Sequence, residues 1–265
     1  MSLDTDYINS DFIPGAADYP DRWLEDAQAF RVREAALGRA RLNVAYGPGE
    51  RQKLDLFHPA GPAEGLVVFV HGGYWHRFDR GYWSHFSEGL TARGWAVAMP
   101  SYTLAPEARV REITREVARA VECAGTLVAG PIRLTGHSAG GHLVARMGCR
   151  DIALAAGTRD RLAHIVPLSP LSDMRPFRKI AMNEVLKLDE AEAVAESPVL
   201  HAAPDVPVTV WVGAEERPVF LDHAIWLVDA WDATLRLDPG RHHFDLIDGL
   251  KEAESPMVES ILKAP

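Results

Sequence analysis

Hydrophobic and polar positions settle into a rhythm from about residue 65 onward. Gly65 to Val70 is a short, unbroken apolar run, and similar runs recur at Trp95 to Met99, Ile132 to Thr135, Ala163 to Leu168, Val206 to Val212 and Ala233 to Leu237. Short apolar runs without alternation read as strands covered on both faces. Between and after them, apolar residues recur at helical spacing over Trp83 to Arg93, Val110 to Leu127, Gly140 to Cys149, Leu221 to Trp231 and Asp245 to Glu252. This alternation predicts an α/β architecture: a mostly parallel central sheet with helices on both faces. Upstream, Leu42 to Tyr46 and Lys53 to Phe57 predict two more strands around the turn Gly47-Pro48-Gly49. Asp21 to Ala40 predicts a helix with Trp23, Ala27, Phe30 and Val32 on a partial apolar face, so residues 1–40 read as an N-terminal helical segment. Residues 1–265 read as a single domain.

One stretch breaks the rhythm. Residues 169–204 separate two predicted strands and contain a helix-like segment, Ile180 to Glu196. An insertion there falls at the carboxyl ends of the strands, where such sheets bind ligands. It reads either as a small cap over a site or as a surface helical hairpin.

Composition narrows the function classes. The chain is 47% apolar and 25% charged, as expected for a globular protein that buries a large core. The net charge of -9 and the lack of a basic tract argue against nucleic acid as a partner, since phosphate binding needs clustered positive charge. The arginines between Arg109 and Arg119 read as a solvated helix face. The N-terminus shows no basic region followed by an apolar run, so no signal peptide is expected. Leu66 to Val70 is too short to span a bilayer, so no membrane partner is expected. Two cysteines, Cys123 and Cys149, make no disulfide framework, and a cytoplasmic location fits. None of the 11 histidines pairs with a carboxylate or cysteine at ligand spacing, so neither a metal nor another cofactor is expected. The expected partner is a small-molecule substrate, and a homodimer is compatible with the chain.

The chemistry concentrates in three places. The predicted strand Ile132 to Thr135 runs into Gly136-His137-Ser138-Ala139-Gly140, and a helix follows. Small residues flanking a serine between strand and helix let the backbone turn sharply and lift the hydroxyl out of the sheet. Ser138 is therefore the candidate nucleophile. His71-Gly72-Gly73-Tyr74-Trp75 follows the first core strand. Backbone N–H groups in such a glycine turn can point at a developing oxyanion, and Gly73, Tyr74 and Ala139 are the candidate donors. His71 reads as a brace for that loop. Tyr74, Trp75, Phe78, Tyr82 and Trp83 cluster around it and suggest an apolar or aromatic substrate, with Tyr74, Trp75 and His137 as candidate contacts.

A serine needs a base, and the base needs an orienting acid. With a nucleophile on this type of turn, the acid and then the histidine come later in the chain. Gly240-Arg241-His242-His243-Phe244 follows the last predicted strand and offers His242 or His243. Glu215, Glu216 and Asp222 follow the strand before it, and any of the three could also be a solvated residue near a helix start.

Taken together, these residues resemble a known group. His71-Gly72-Gly73, Tyr102-Thr103-Leu104-Ala105-Pro106-Glu107 and Gly136-His137-Ser138-Ala139-Gly140-Gly141 are similar to the hormone-sensitive-lipase-like esterases of the α/β-hydrolase fold. The longer form through Tyr74 and Trp75 resembles the kynurenine formamidases (arylformamidases). Supporting pieces include Gln52-Lys53-Leu54-Asp55-Leu56-Phe57, Leu171-Ser172-Asp173-Met174-Arg175-Pro176 and Pro218-Val219-Phe220. The resemblance implies Ser138 as nucleophile, His243 as base and Glu216 as acid, although that family usually has Asp at the acid position. It also implies hydrolysis of N-formylkynurenine to kynurenine and formate through a formyl-enzyme. The same machinery serves a carboxylesterase acting on small acyl or aryl esters, and a ligand-binding protein on a hydrolase scaffold is the non-enzymatic reading.

Overall fold

The predicted alternation is realised in a computed structural model that describes residues 3–263. Eight strands form one sheet: β1 Ala40–Ala45, β2 Lys53–Phe57, β3 Leu66–Val70, β4 Ala96–Pro100, β5 Ile132–His137, β6 Leu162–Leu168, β7 Thr209–Gly213 and β8 Thr234–Asp238. Their spatial order is β1-β2-β4-β3-β5-β6-β7-β8. β1 and β2 pair antiparallel with each other, and β2 with β4; from β4 to β8 every pair is parallel.

The unbroken apolar runs have the expected cause. Every residue of β3, β4 and β7 is buried. Along β3, Leu66, Val68 and Val70 face one hydrophobic layer, and Val67 and Phe69 face the other. The first layer is closed by the helices Val110–Leu127, Ala139–Gly148 and Pro218–Trp231. In the first of these, Val110, Ile113, Val117, Val121 and Ala124 make the buried stripe at three- and four-residue spacing. The second layer is closed by the helix Tyr19–Ala36, which contributes Trp23 and Phe30, and by Pro256–Leu262 near the C-terminus. No helix among the described residues is long and apolar enough to cross a membrane.

Three expected elements differ. The stretch from Trp83 to Arg93 is one 3₁₀ turn, Ser84–Ser87, followed by the short helix Glu88–Ala92, and the turn after His243 is a 3₁₀ helix, Leu246–Lys251. The segment Ile180 to Glu196 is not one helix. It divides into Asn183–Leu186 and Glu190–Ala195. Asn183 folds back on the break: its Oδ1 accepts the Leu188 N–H at 2.8 Å, and Lys187 takes a left-handed φ of 56°. Asp189 then caps the second helix by accepting the Glu192 N–H at 2.8 Å.

Candidate active site

Ser138 sits where β5 ends and the helix Ala139–Gly148 begins, with φ 57° and ψ -116°. That conformation is costly for a residue with a Cβ, and close packing holds it. Gly140 shows how close: a Cβ there would lie 1.9 Å from the Val70 carbonyl oxygen. Only glycine lets the helix start press against β3 and lift the serine above the sheet.

The glycine loop passes directly over this turn. A Cβ on Gly72 would be 3.2 Å from Ser138 Cβ. Gly73 has φ 113°, and a Cβ there would meet the Arg77 carbonyl oxygen at 2.4 Å. Tyr74 and Trp75 follow with φ of 50° and 60°, so three consecutive residues hold positive φ. The turn is closed by His76 and Arg77, whose amides donate to the Gly73 carbonyl at 3.1 and 2.9 Å. Among the described residues the amides of Gly73, Tyr74 and Ala139 donate to no carbonyl, and Gly73 and Tyr74 line the cavity beside Ser138. His71 braces this loop from beneath. Its Nδ1 donates to the Gly72 carbonyl at 2.7 Å, and its ring stacks on Tyr102 at 4.3 Å. Burial pushes its pKa down to about 4, so it stays neutral.

The late histidine and the acid meet. His243 Nδ1 lies 2.6 Å from Glu216 Oε2, and both side chains are buried. The longer Glu side chain is accommodated by folding over its own turn, with Oε1 accepting the Gly213 N–H at 3.2 Å. The alternatives stay apart: Glu215 and Asp222 are exposed, while His242 Nε2 reaches the Tyr19 hydroxyl at 3.3 Å. His243 and Ser138 line the same cavity, without a hydrogen bond between their side chains among the described residues. A third group, missed from the sequence, completes the acid pair. Ser169, just past β6, places Oγ 2.6 Å from Glu216 Oε2 and 2.9 Å from His243 Nδ1.

The cavity encloses about 670 Å³, ample for a small aromatic substrate. Trp23, Tyr74, Phe78, Trp83 and Phe244 form much of its apolar wall. His137 also lines it. The His137 Nε2–H donates to the His243 carbonyl at 2.8 Å, and its ring packs 4.6 Å from that of His243. Burial, reinforced by the neighbouring His243, holds His137 well below its usual pKa.

One expectation needs correction. Trp75 does not line the cavity. It is fully buried in the core, donates its indole N–H to His142 Nδ1 at 3.2 Å, and packs edge-on against Phe177. Residues 169–204 contribute only Met182 to the described cavity wall. The roof is instead residues 7–23, the polar segment without clear periodicity. Tyr7 anchors it: the ring packs 4.7 Å from that of Phe177, the hydroxyl meets His223 Nε2 at 2.9 Å, and its carbonyl accepts the Tyr74 O–H at 2.5 Å. Cys149, Asp151 and His201 also come within 4.8 Å of one another, but Arg146 pairs with Asp151 at 2.6 Å and burial pushes the Cys149 thiol up to about 11.

Known proteins place this arrangement. A kynurenine formamidase from Salmo salar is 27% identical over 248 residues, covering 87% of this chain and 84% of its own. One from Drosophila melanogaster is 26% identical, covering 77% and 68%. The crystal structure of a proposed thioesterase from Silicibacter sp. is 52% identical, covers 99% of this chain and all of its own, and superposes with a TM-score of 0.96. Esterase B from Lactobacillus rhamnosis, 18% identical with a TM-score of 0.69 over 91% of this chain and 93% of its own, shares the fold. A family model described as alpha/beta hydrolase fold matches residues 67–212, more than half of the chain. The chain therefore belongs to the α/β-hydrolase fold family, and it is a hydrolase.

Proposed function

We propose that the protein is a serine hydrolase that cleaves an aryl formamide of the N-formylkynurenine type. The observation that carries this reading is the buried His243–Glu216 pair opening, with Ser138, into an aromatic-walled cavity. The similarity to kynurenine formamidases supports the formamide as substrate.

In this reading Ser138 Oγ attacks the formyl carbon while His243 Nε2 takes its proton. Negative charge on the formyl oxygen is received by the amides of Gly73, Tyr74 and Ala139. His243 then protonates the departing aniline nitrogen. Water, deprotonated by the same histidine, attacks the formyl carbon; the histidine returns that proton to Ser138 Oγ as the ester bond breaks and formate leaves. The flat aniline ring would lie against the aromatic wall that includes Trp83, Phe244 and Phe78. His137, kept neutral, contacts the substrate beside the nucleophile.

A second reading is favoured by the more similar structure, whose proposed activity is that of a thioesterase. The same residues would then hydrolyse a small acyl or aryl ester or thioester. Rates on N-formylkynurenine, a short nitrophenyl ester and a short acyl thioester separate the two. The formamidase reading expects kcat/KM to be highest for the formamide. A negligible formamide rate beside rapid ester or thioester cleavage would overturn it.

A further inference from the structure

Ser169 follows β6 with a left-handed φ of 46° and is fully buried. Such a φ is uncommon for a residue carrying a Cβ. Its amide donates to the Trp211 carbonyl at 2.7 Å, which ties it to β7. The side chain is thereby held between the two segments that carry Glu216 and His243. Its hydroxyl has one proton to donate and can also accept. A carboxylate oxygen only accepts, so that proton goes to Glu216 Oε2 at 2.6 Å. The lone pairs of the hydroxyl then face His243 Nδ1 at 2.9 Å. Nδ1 must therefore carry the ring proton, shared between Oγ and the carboxylate oxygen 2.6 Å away. Each of the three atoms contacts the other two, and in the neutral ring Nε2 is then the unprotonated nitrogen, the form a base must have.

We infer that Ser169 is a positioning residue for the hydrolytic reaction, holding the Glu216 carboxylate and the Nδ1–H tautomer of His243 in register. The inference rests on the reading of Ser138, His243 and Glu216 as the catalytic set. The need arises from the acid itself. Glu has one more torsion than Asp between backbone and carboxylate, and a second hydrogen bond to Oε2 removes that freedom. A hydrogen bond to a charged group is worth enough that its loss lowers turnover roughly ten- to a hundredfold.

The test uses Ser169→Ala and Ser169→Gly in the full chain, beside Glu216→Ala and His243→Ala. Both Ser169 variants remove the hydroxyl, but glycine relieves the left-handed backbone while alanine does not. A common loss therefore reports the hydroxyl. The expected result is a ten- to hundredfold fall in kcat for both, KM within about twofold, and a displaced far-downfield Nδ1–H proton resonance of His243. If both variants keep kcat within twofold while Glu216→Ala loses it, Ser169 does not position the pair and the catalytic set stands. A loss in Ser169→Ala that Ser169→Gly restores assigns the effect to the backbone and likewise overturns the inference. If Glu216→Ala and His243→Ala both retain activity, the catalytic reading itself fails.

Discussion

At Glu216 a single methylene separates this acid from the Asp usual in the family it resembles, and the turn Gly213–Glu216 absorbs it. With Oε1 on the Gly213 amide and Oε2 on His243, shortening the side chain breaks one contact or the other. Glu216→Asp should lower kcat about tenfold and Glu216→Ala by up to about 10⁴-fold, the range seen when an orienting acid is lost. Glu215→Ala and Asp222→Ala should stay within twofold, because both side chains are exposed. Steady-state kinetics on the best substrate checks all four. Trp75 makes the opposite prediction. Since its ring is core, Trp75→Ala should cost about 3–5 kcal/mol of stability, while the conservative Trp75→Phe should leave KM unchanged; urea unfolding of the first and a KM measurement on the second decide. The turn around Ser138 and the glycine loop were legible because small residues must flank a tight turn at a strand end, whereas the residues alone left His242 and His243 as alternatives. Ser169 was not legible. A serine after a strand is common, and only the meeting of β6, β7 and the His243 loop gives this one its partners.

Elements were legible where burial dictates their pattern. Helix Val110–Leu127 was placed to the residue because one face meets the sheet and the other meets solvent. The two-helix break at Lys187 and the 3₁₀ turn after Trp83 were not, since local side-chain hydrogen bonds and tertiary packing decide them. The roof over the cavity was not legible for a related reason. Residues 7–23 carry little periodic signal. They are held by isolated contacts such as Tyr7 to His223, 216 positions apart in the chain. Arg217 adds a second distant hold, lying 3.5 Å above the Phe12 ring. A chain lacking residues 1–18 should therefore still react with a fluorophosphonate at Ser138, yet lose affinity for aromatic substrates, with KM rising at least about tenfold as the apolar roof is removed. Retained KM in a variant that labels normally would show that the roof does not select substrate.

For the whole molecule, the sheet was legible because strands buried on both faces leave unbroken apolar runs. The polar groups sealed between its layers were not, and they give the fold its pH dependence. Burial holds His71, His164 and His223 at a pKa of about 4, and His85 and His142 at about 3. Two of these rings make the reason concrete. His142 Nδ1 accepts the Trp75 indole N–H while Nε2 donates to the Glu196 carbonyl at 2.7 Å. His223 Nδ1 accepts the Ser172 and Asp173 amides at 3.0 and 3.2 Å. Adding a proton to either Nδ1 would turn an acceptor into a donor facing a donor. In the unfolded chain these histidines titrate near 6.5. Between that value and the folded ones, the unfolded state binds protons that the folded state refuses. The stabilisation is complete above about pH 6.5 and is lost as pH falls toward 4, each histidine contributing at most about 1.4 kcal/mol per pH unit. Asp151 and Asp173, whose pKa values are lowered through Arg146 and Arg175 against the opposing effect of burial, add the same sign at more acidic pH. The urea midpoint should therefore fall steeply from pH 7 to pH 5, before most carboxylates titrate. A midpoint that held constant across that interval would mean that these imidazoles are already protonated in the folded protein or reach water freely, contrary to the packing around His142 and His223.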